Sequence, residues 1–241
     1  MENRFDANKE CLEIHNQRFI VDCMQIKSRR FISCGFTLVA LLVIVAVVTV
    51  LAAMLLPALA AAKKKSSKIG CANNLKQCGL AFRIWEGDHN DKYPMDVPAV
   101  NGGTKECITG ADTFRHFQVM SNELSTPKIL VCPNDDRIAA ANFVQLNNSN
   151  VSYFVGLDAS DNYPQRLLTG DRNITGTGAP ENGILKLVPG GPAAWTSAIH
   201  ANSGNVGLAD GSVQAYTSSA LRTALKNSGD PTNTWRLSIP E

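Results

Sequence analysis

The sequence predicts an α+β chain: one long N-terminal helix, its first half suited to lipid, followed by a small antiparallel sheet with long loops. Three observations carry this. Residues 36–62 contain no charged side chain, and 24 of these 27 positions are hydrophobic. Cys71, Leu75, Cys78, Phe82 and Trp85 recur at helical spacing. Beyond about residue 95, short β-rich runs alternate with loops rich in Gly, Asn, Asp and Pro. Averages over the 241 residues conceal this division, since 23 Lys+Arg, 21 Asp+Glu and 44% hydrophobic content describe an ordinary near-neutral globule. That apolar content with 18% charge excludes a mainly disordered chain. A net charge of +2 without a long basic stripe argues against nucleic-acid binding.

The apolar block comes first in chain order. As a helix, residues 38–62 would extend about 37 Å, more than the ~30 Å of a bilayer core. The β-branched run at 43–50 is a poor helix former in water, but in lipid an unpaired backbone costs far more than a propensity penalty. Lys27, Arg29 and Arg30 precede the block and Lys63, Lys64, Lys65 and Lys68 follow it, so flanking charge does not fix its orientation. Ala58-Leu59-Ala60 after Pro57 supplies a small-x-small signal-peptidase site. The apolar run is nevertheless too long, and its leader too long and too mixed in charge, for an ordinary signal peptide. A lipoprotein signal fails on order, because Cys34 stands before the apolar run rather than after it. A plain signal anchor stays open.

The residues Gly35-Phe36-Thr37-Leu38-Val39, directly after Ser28-Arg29-Arg30-Phe31-Ile32-Ser33-Cys34, resemble the processing site of type IV prepilins and type II secretion pseudopilins. The resemblance implies cleavage after Gly35 by a prepilin peptidase and N-methylation of Phe36. It also implies a bacterial inner-membrane protein with a cytoplasmic N-terminus, a pilin-like head outside, and association with other pilin-like subunits through the helix. Pro57 is the 22nd residue from Phe36, where the family commonly carries a helix-bending proline. Ala40 departs from the pattern, because the fifth mature residue is usually Glu. A carboxylate at that depth costs about 2.5–3.5 kcal/mol and needs a partner; in the family it is thought to neutralise the α-amino group of the neighbouring subunit. A subunit at a filament tip has no preceding neighbour, and some tip pseudopilins also lack this Glu. Ala40 therefore suggests a minor or tip subunit. Met24 opens a short basic leader of the expected kind, so residues 1–23 read as a start-site artefact or an extension.

Past the lysines, the stripe from Cys71 to Trp85 reads as a core face packed on the chain's own sheet rather than a coiled-coil seam. Gly87-Asp88 and Pro94 end the helix. Strands are expected at 129–132, 151–155, 184–188, 206–209 and 212–216. Asp210-Gly211 predicts a type I′ hairpin over 205–216 that pairs Leu208 with Val213 and Val206 with Ala215. Ser218 is expected to cap a short helix with Leu221 and Leu225 on one face.

Three further fragments are similar to a large group of prepilin-like proteins: Cys132-Pro133 followed by 151–155, Gly170-Asp171-Arg172-Asn173, and the His-x9-Asp-Gly pattern of His200 with Asp210-Gly211. They imply membership of that group without implying an activity. His200 and Asp210 could form an acid/base pair or a ligand pair, but the turn already explains Asp210, and no nucleophile or third ligand is identifiable. No HExxH, P-loop, GxSxG or CxxC motif occurs. Asp158, Asp161 and Asp171, with Asn162 and Asn173, offer oxygens of the kind Ca²⁺ takes; they match no EF-hand loop and read first as solvated surface groups. No other cofactor or metal is expected.

Of the seven cysteines, Cys11, Cys23 and Cys34 fall in the leader. Cys71 and Cys78, two helical turns or roughly 10 Å apart, cannot bridge each other. Cys107–Cys132 is the pairing open to a disulfide. The organisation expected is a leader at 1–35, a membrane helix at 36–62, its continuation at 63–87, a head at 88–226 and a tail at 227–241. Two functions compete: a pilin-like structural subunit that is no enzyme, or a membrane-anchored extracytoplasmic binding or enzymatic domain that does not polymerise.

Overall fold

A computed structural model describes residues 37–228 and 234–241 of the protein. The leader, Met24, Gly35 and Phe36 lie outside the described residues. The chain divides into two compact units, Met1–Met54 and Leu55–Glu241.

Helix α1 runs without interruption over Leu38–Asp88, with Pro57 inside it. Thr37 opens it by accepting a hydrogen bond from the Ala40 amide through its hydroxyl, at 3.3 Å. The apolar stretch is long enough to cross a membrane, and none of its most apolar 18-residue window is buried within the chain. The later part of the helix buries Cys71, Leu75, Cys78, Phe82 and Trp85, the stripe the 4-3-4-3 spacing predicts. The helix is followed by a turn with positive φ at Asn90 and Asp91.

The six-stranded sheet is antiparallel, in the order β4-β8-β1-β2-β6-β7. Its strands are β1 (Tyr153–Gly156), β2 (Leu167–Asp171), β4 (Ile184–Leu187), β6 (Ser203–Leu208), β7 (Val213–Thr217) and β8 (Trp235–Ser238). A two-stranded sheet joins β3 (Ile174–Thr175) to β5 (Ala194–Trp195). Strand β1 is buried on both faces, as a central strand between two layers must be. Its Tyr153 and Val155 join the core of the α1 stripe. Phe154, pointing the other way, joins a second core with Leu185, Trp195, Leu221, Leu225 and Trp235. Leu221 and Leu225 come from helix α4 (Ser218–Asn227), and share its buried face as expected. Two short helices, α2 (Thr113–Gln118) and α3 (Ser121–Leu124), complete the first core through Phe117 and Leu124.

Several expectations are corrected. Residues 129–132 form no strand: Pro127 fixes φ, and the Thr126 side chain accepts from the Lys128 amide, starting a 3-10 turn over Pro127–Leu130. The cap of α4 is Thr217, one residue before the expected Ser218. The hairpin register slips by one, pairing Gly207 with Val213 and Val206 with Gln214. Only Gly211 has positive φ (83°), not Asp210, so a type I′ turn cannot form. A three-residue loop closes instead: the Gly211 amide donates to the Leu208 carbonyl and the Leu208 amide to the Ser212 carbonyl, both at 2.9 Å. The segment read as a tail supplies β8, between β4 and β1.

His116 on α2 makes a titration prediction. It is fully buried, its Nδ1 sharing a 2.7 Å hydrogen bond with Thr104 Oγ1 and its Nε2 having no partner. Burial pushes the imidazole down to about 4, against a weaker opposing pull from Asp112. Below pH 6.5 the unfolded chain takes up a proton that the folded chain refuses until about pH 4. Stability from this group is therefore constant above pH 6.5 and falls by roughly 3 kcal/mol on acidification to pH 4. Urea unfolding at pH 7 and pH 5 checks it. The wild-type chain is expected to lose more stability between those pH values than a His116→Gln variant, and equal losses would refute the assignment.

Candidate functional site

Four side chains from four separate segments meet under the sheet end where β2 stops. Cys71 comes from α1. Cys132 comes from a turn closed by a 2.9 Å hydrogen bond from the Asp135 amide to the Cys132 carbonyl. Asp171 is the last residue of β2, and His200 lies three residues before β6. Cys71, Cys132 and Asp171 are wholly buried, and His200 is 8% exposed. One ligand-type atom from each residue lies within 4.8 Å of the corresponding atom of every other.

Local structure dictates each position. Gly170 lets β2 pass close by its neighbours: a Cβ there would stand 2.6 Å from the Phe154 ring and 2.9 Å from the Asn205 carbonyl oxygen. With β2 so placed, Asp171 Oδ2 accepts from the Asn205 amide at 2.6 Å and from Asn205 Nδ2 at 3.2 Å. Arg172, next in sequence, turns away and grips Asp135 in a bidentate pair at 2.8 and 2.9 Å. That pair ties the Cys132 turn to the end of β2. After His200, Ala201 and Asn202 both adopt positive φ (49° and 62°), and Ser203 Oγ donates to the His200 carbonyl at 2.6 Å.

The contacts inside the cluster are polar and close. Cys71 Sγ donates to Asp171 Oδ1 at 2.9 Å and lies 3.5 Å from the Tyr153 hydroxyl. His200 Nε2 is 3.4 Å from Cys132 Sγ and 3.5 Å from Asp171 Oδ2. The protonation states are linked. Hydrogen bonding with Cys132 and burial drive the Cys71 thiol upward, and Asp171 adds to this. The Cys71 hydrogen bond and His200 hold Cys132 at about 5, against its own burial. Burial lifts the Asp171 carboxyl to about 6. Burial works against the His200 imidazolium, but Cys132 and Asp171 outweigh it and the pKa rises. Lys68 Nζ donates to Ser203 Oγ at 3.1 Å, three residues from His200.

This arrangement is not a nucleophilic relay. A Cys–His–Asp triad puts the nucleophile on one ring nitrogen and the carboxylate on the other. Here Cys132 and Asp171 both approach Nε2. Groups gathered around one point in this way can ligate a metal.

The structure relocates most of the residues singled out in the sequence. Asp210 does not join His200; its Oδ1 accepts from the Ser212 amide at 2.8 Å, a turn role. The Cys107–Cys132 disulfide that the sequence left open is not formed: both are free thiols, Cys132 facing the cluster and Cys107 on a 3-10 turn over Lys105–Thr109. The Ca²⁺ candidates do not converge. Asp158 holds Arg236, Asp161 pairs with Arg83, and Asp171 belongs to the buried cluster rather than to the surface. Asn173 is likewise buried, and its Nδ2 donates to the Thr196 carbonyl at 2.9 Å. Cys71 appeared in the sequence only as a core position. Compared with family models, curated proteins and solved structures, the chain finds no match.

Proposed function

We propose that the protein is a pilin-like structural subunit of a type II secretion or type IV pilus-like system, not an enzyme. It would sit in a bacterial inner membrane with its N-terminus cytoplasmic and its α+β head outside. Its partners would be a prepilin peptidase/methylase, which cuts after Gly35 and methylates Phe36, and other pilin-like subunits along the N-terminal helix. The observation that carries this reading is one helix, Leu38–Asp88, beginning three residues after Gly35. Its apolar half is exposed along its length, while one face of its later half is buried in the first core. A subunit of this kind needs that division of labour, with one stretch for lipid and neighbours and one for its own core.

Ala40 favours a second reading, a membrane-anchored domain that does not polymerise, because Ala40 offers no carboxylate to a neighbour's N-terminus. Both readings are tested by the intact mass of the mature protein made with and without a prepilin peptidase. A product beginning at methylated Phe36, formed only with the peptidase and abolished in Gly35→Ala, is the expected result. A product beginning at Ala61, or normal maturation of Gly35→Ala, would defeat the prepilin reading. Co-purification with other pilin-like subunits then separates a polymerising subunit from an anchored domain.

A further inference from the structure

We infer that Cys71, Cys132, Asp171 and His200 form a structural zinc site that fastens helix α1 to the sheet. The inference rests on this cluster alone and holds whether or not the chain is cut after Gly35.

The donor set comes first. Two sulfurs, one imidazole nitrogen and one carboxylate oxygen are ligand types that Zn²⁺ accepts together, and thiolates disfavour the hard cations Ca²⁺ and Mg²⁺. Tetrahedral Zn²⁺ with ordinary bond lengths puts neighbouring ligand atoms about 3.4–3.8 Å apart. The Cys132 Sγ–His200 Nε2 distance of 3.4 Å falls in that range, the Cys71 Sγ–Asp171 Oδ1 distance of 2.9 Å is shorter than it, and one ligand-type atom from each of the four residues lies within 4.8 Å of the others. Four protein ligands with no place left for substrate describe a structural site rather than a catalytic one.

Electrostatics point the same way. Asp171 is fully buried beside two thiols, and the adjacent guanidinium of Arg172 is committed to Asp135. A divalent cation bound by both thiolates and the carboxylate would leave a net charge of −1, with Lys68 nearby. Binding releases to solvent the Cys71 thiol proton and any proton carried by His200, and no electron is transferred. The groups around the ligands are also arranged for this. Asn205 occupies Asp171 Oδ2 with two N–H donors, leaving Oδ1 facing Cys71, and the Tyr153 hydroxyl reaches Cys71 Sγ. A Cys71–Cys132 disulfide is the competing use of these residues. It would employ only two of the four and leave Asp171 and His200 to pair with each other.

His200 also lines an open cleft with Lys64, Lys65, Lys68 and Asn134, so the cluster lies close to solvent on that side. The consequence is mechanical. The four ligands belong to α1, the Cys132 turn, β2 and the segment before β6, so one ion would tie the helix to the sheet and to the Cys132 turn.

The test uses the full-length chain in detergent, purified without a polyhistidine tag. Elemental analysis is expected to find one zinc per chain after exhaustive desalting. Replacement by Co²⁺ is expected to give a thiolate-to-cobalt charge-transfer band and the visible bands of tetrahedral cobalt. Cys132→Ser and Asp171→Asn should each reduce retained zinc at least tenfold. Cys78→Ala, which alters another buried cysteine of the same helix outside the cluster, should keep the full complement. A wild-type chain that retains neither zinc nor cobalt overturns the inference, as does cobalt bound without the thiolate band. Recovery of Cys71 and Cys132 joined in a disulfide overturns it as well. None of these readouts depends on processing at Gly35, so this inference and the pilin-like reading fail separately.

Discussion

Deleting residues 235–241 is expected to abolish cooperative folding of the Leu55–Glu241 unit. Strand β8 lies between β4 and β1, and its Leu237 pairs with both Leu185 and Gly156. Its loss would release β4 and expose the edge of β1, a strand buried on both faces. Trp235 and Leu237 are also centrepieces of the second core. Truncating a buried Trp to Ala typically costs about 3–5 kcal/mol and a buried Leu about 2–5. Those two losses alone approach the ~5–15 kcal/mol that holds a typical domain together. The deletion also removes the Arg236–Asp158 pair, the hydrogen bond from Arg137 to the Pro240 carbonyl, and that from the Ile239 amide to the Gly183 carbonyl. Near-ultraviolet circular dichroism and urea titration measure the outcome. A truncated chain that still unfolds in one transition near the wild-type midpoint would show that β8 is dispensable.

That strand is also where reading the sequence fell shortest, for a physical reason. Helix α1 is legible because lipid and a helical core each impose a local pattern: a long run without charge, then an apolar residue every three or four positions. Trp235, Leu237 and Ile239 alternate through β8 and just past it, but the run is short, and what makes it a strand is two distant partners. The hairpin lies between these cases. Asp210-Gly211 marks the turn, but whether one or both residues take positive φ decides the register, and a single residue flips every pairing. Strand β2 is similar: no strand is expected at 167–171, and Gly170 takes its place there with Phe154 and Asn205 closing on it.

The four-residue cluster was visible in the sequence as parts. Cys132, Asp171 and His200 each sit in a separate motif fragment, and Cys71 sits in the apolar stripe. Zinc sites are usually recognised by short spacings such as C-x2-C, which place two ligands on one turn. Here every ligand comes from a different segment, so only the fold brings them together. Asp171 illustrates the difficulty: an aspartate after glycine reads as solvated, and its burial follows from its pairing with Tyr153 and the two hydrogen bonds it accepts from Asn205.

Phe82→Ala is expected to destabilise the protein by about 3–5 kcal/mol, the range for emptying a buried aromatic site. Phe82 is fully buried on α1 and meets two aromatic rings edge-on: Tyr93 at 6.1 Å and 85°, and Phe117 at 5.9 Å and 63°. Those rings belong to the loop after α1 and to α2, so one side chain joins three segments. Tyr93 carries the connection further, because its hydroxyl donates to the Ala209 carbonyl at 3.0 Å, in the loop of the β6–β7 hairpin. With the Phe82 ring gone, Tyr93 and Phe117 lose their shared partner and can close the gap only by giving up that hydrogen bond or the packing of α2. Collapse is therefore resisted, and the cost belongs near the upper end of the range. Leu80 supplies the comparison. Two residues away on the same helix, it is 59% exposed, and Leu80→Ala is expected to change stability by no more than about 0.5 kcal/mol. Urea unfolding of the two full-length variants measures both. If the two substitutions cost the same, the helix does not hold its stripe against the sheet in the orientation described. A cost for Phe82→Ala under about 1 kcal/mol would place the centre of the first core elsewhere.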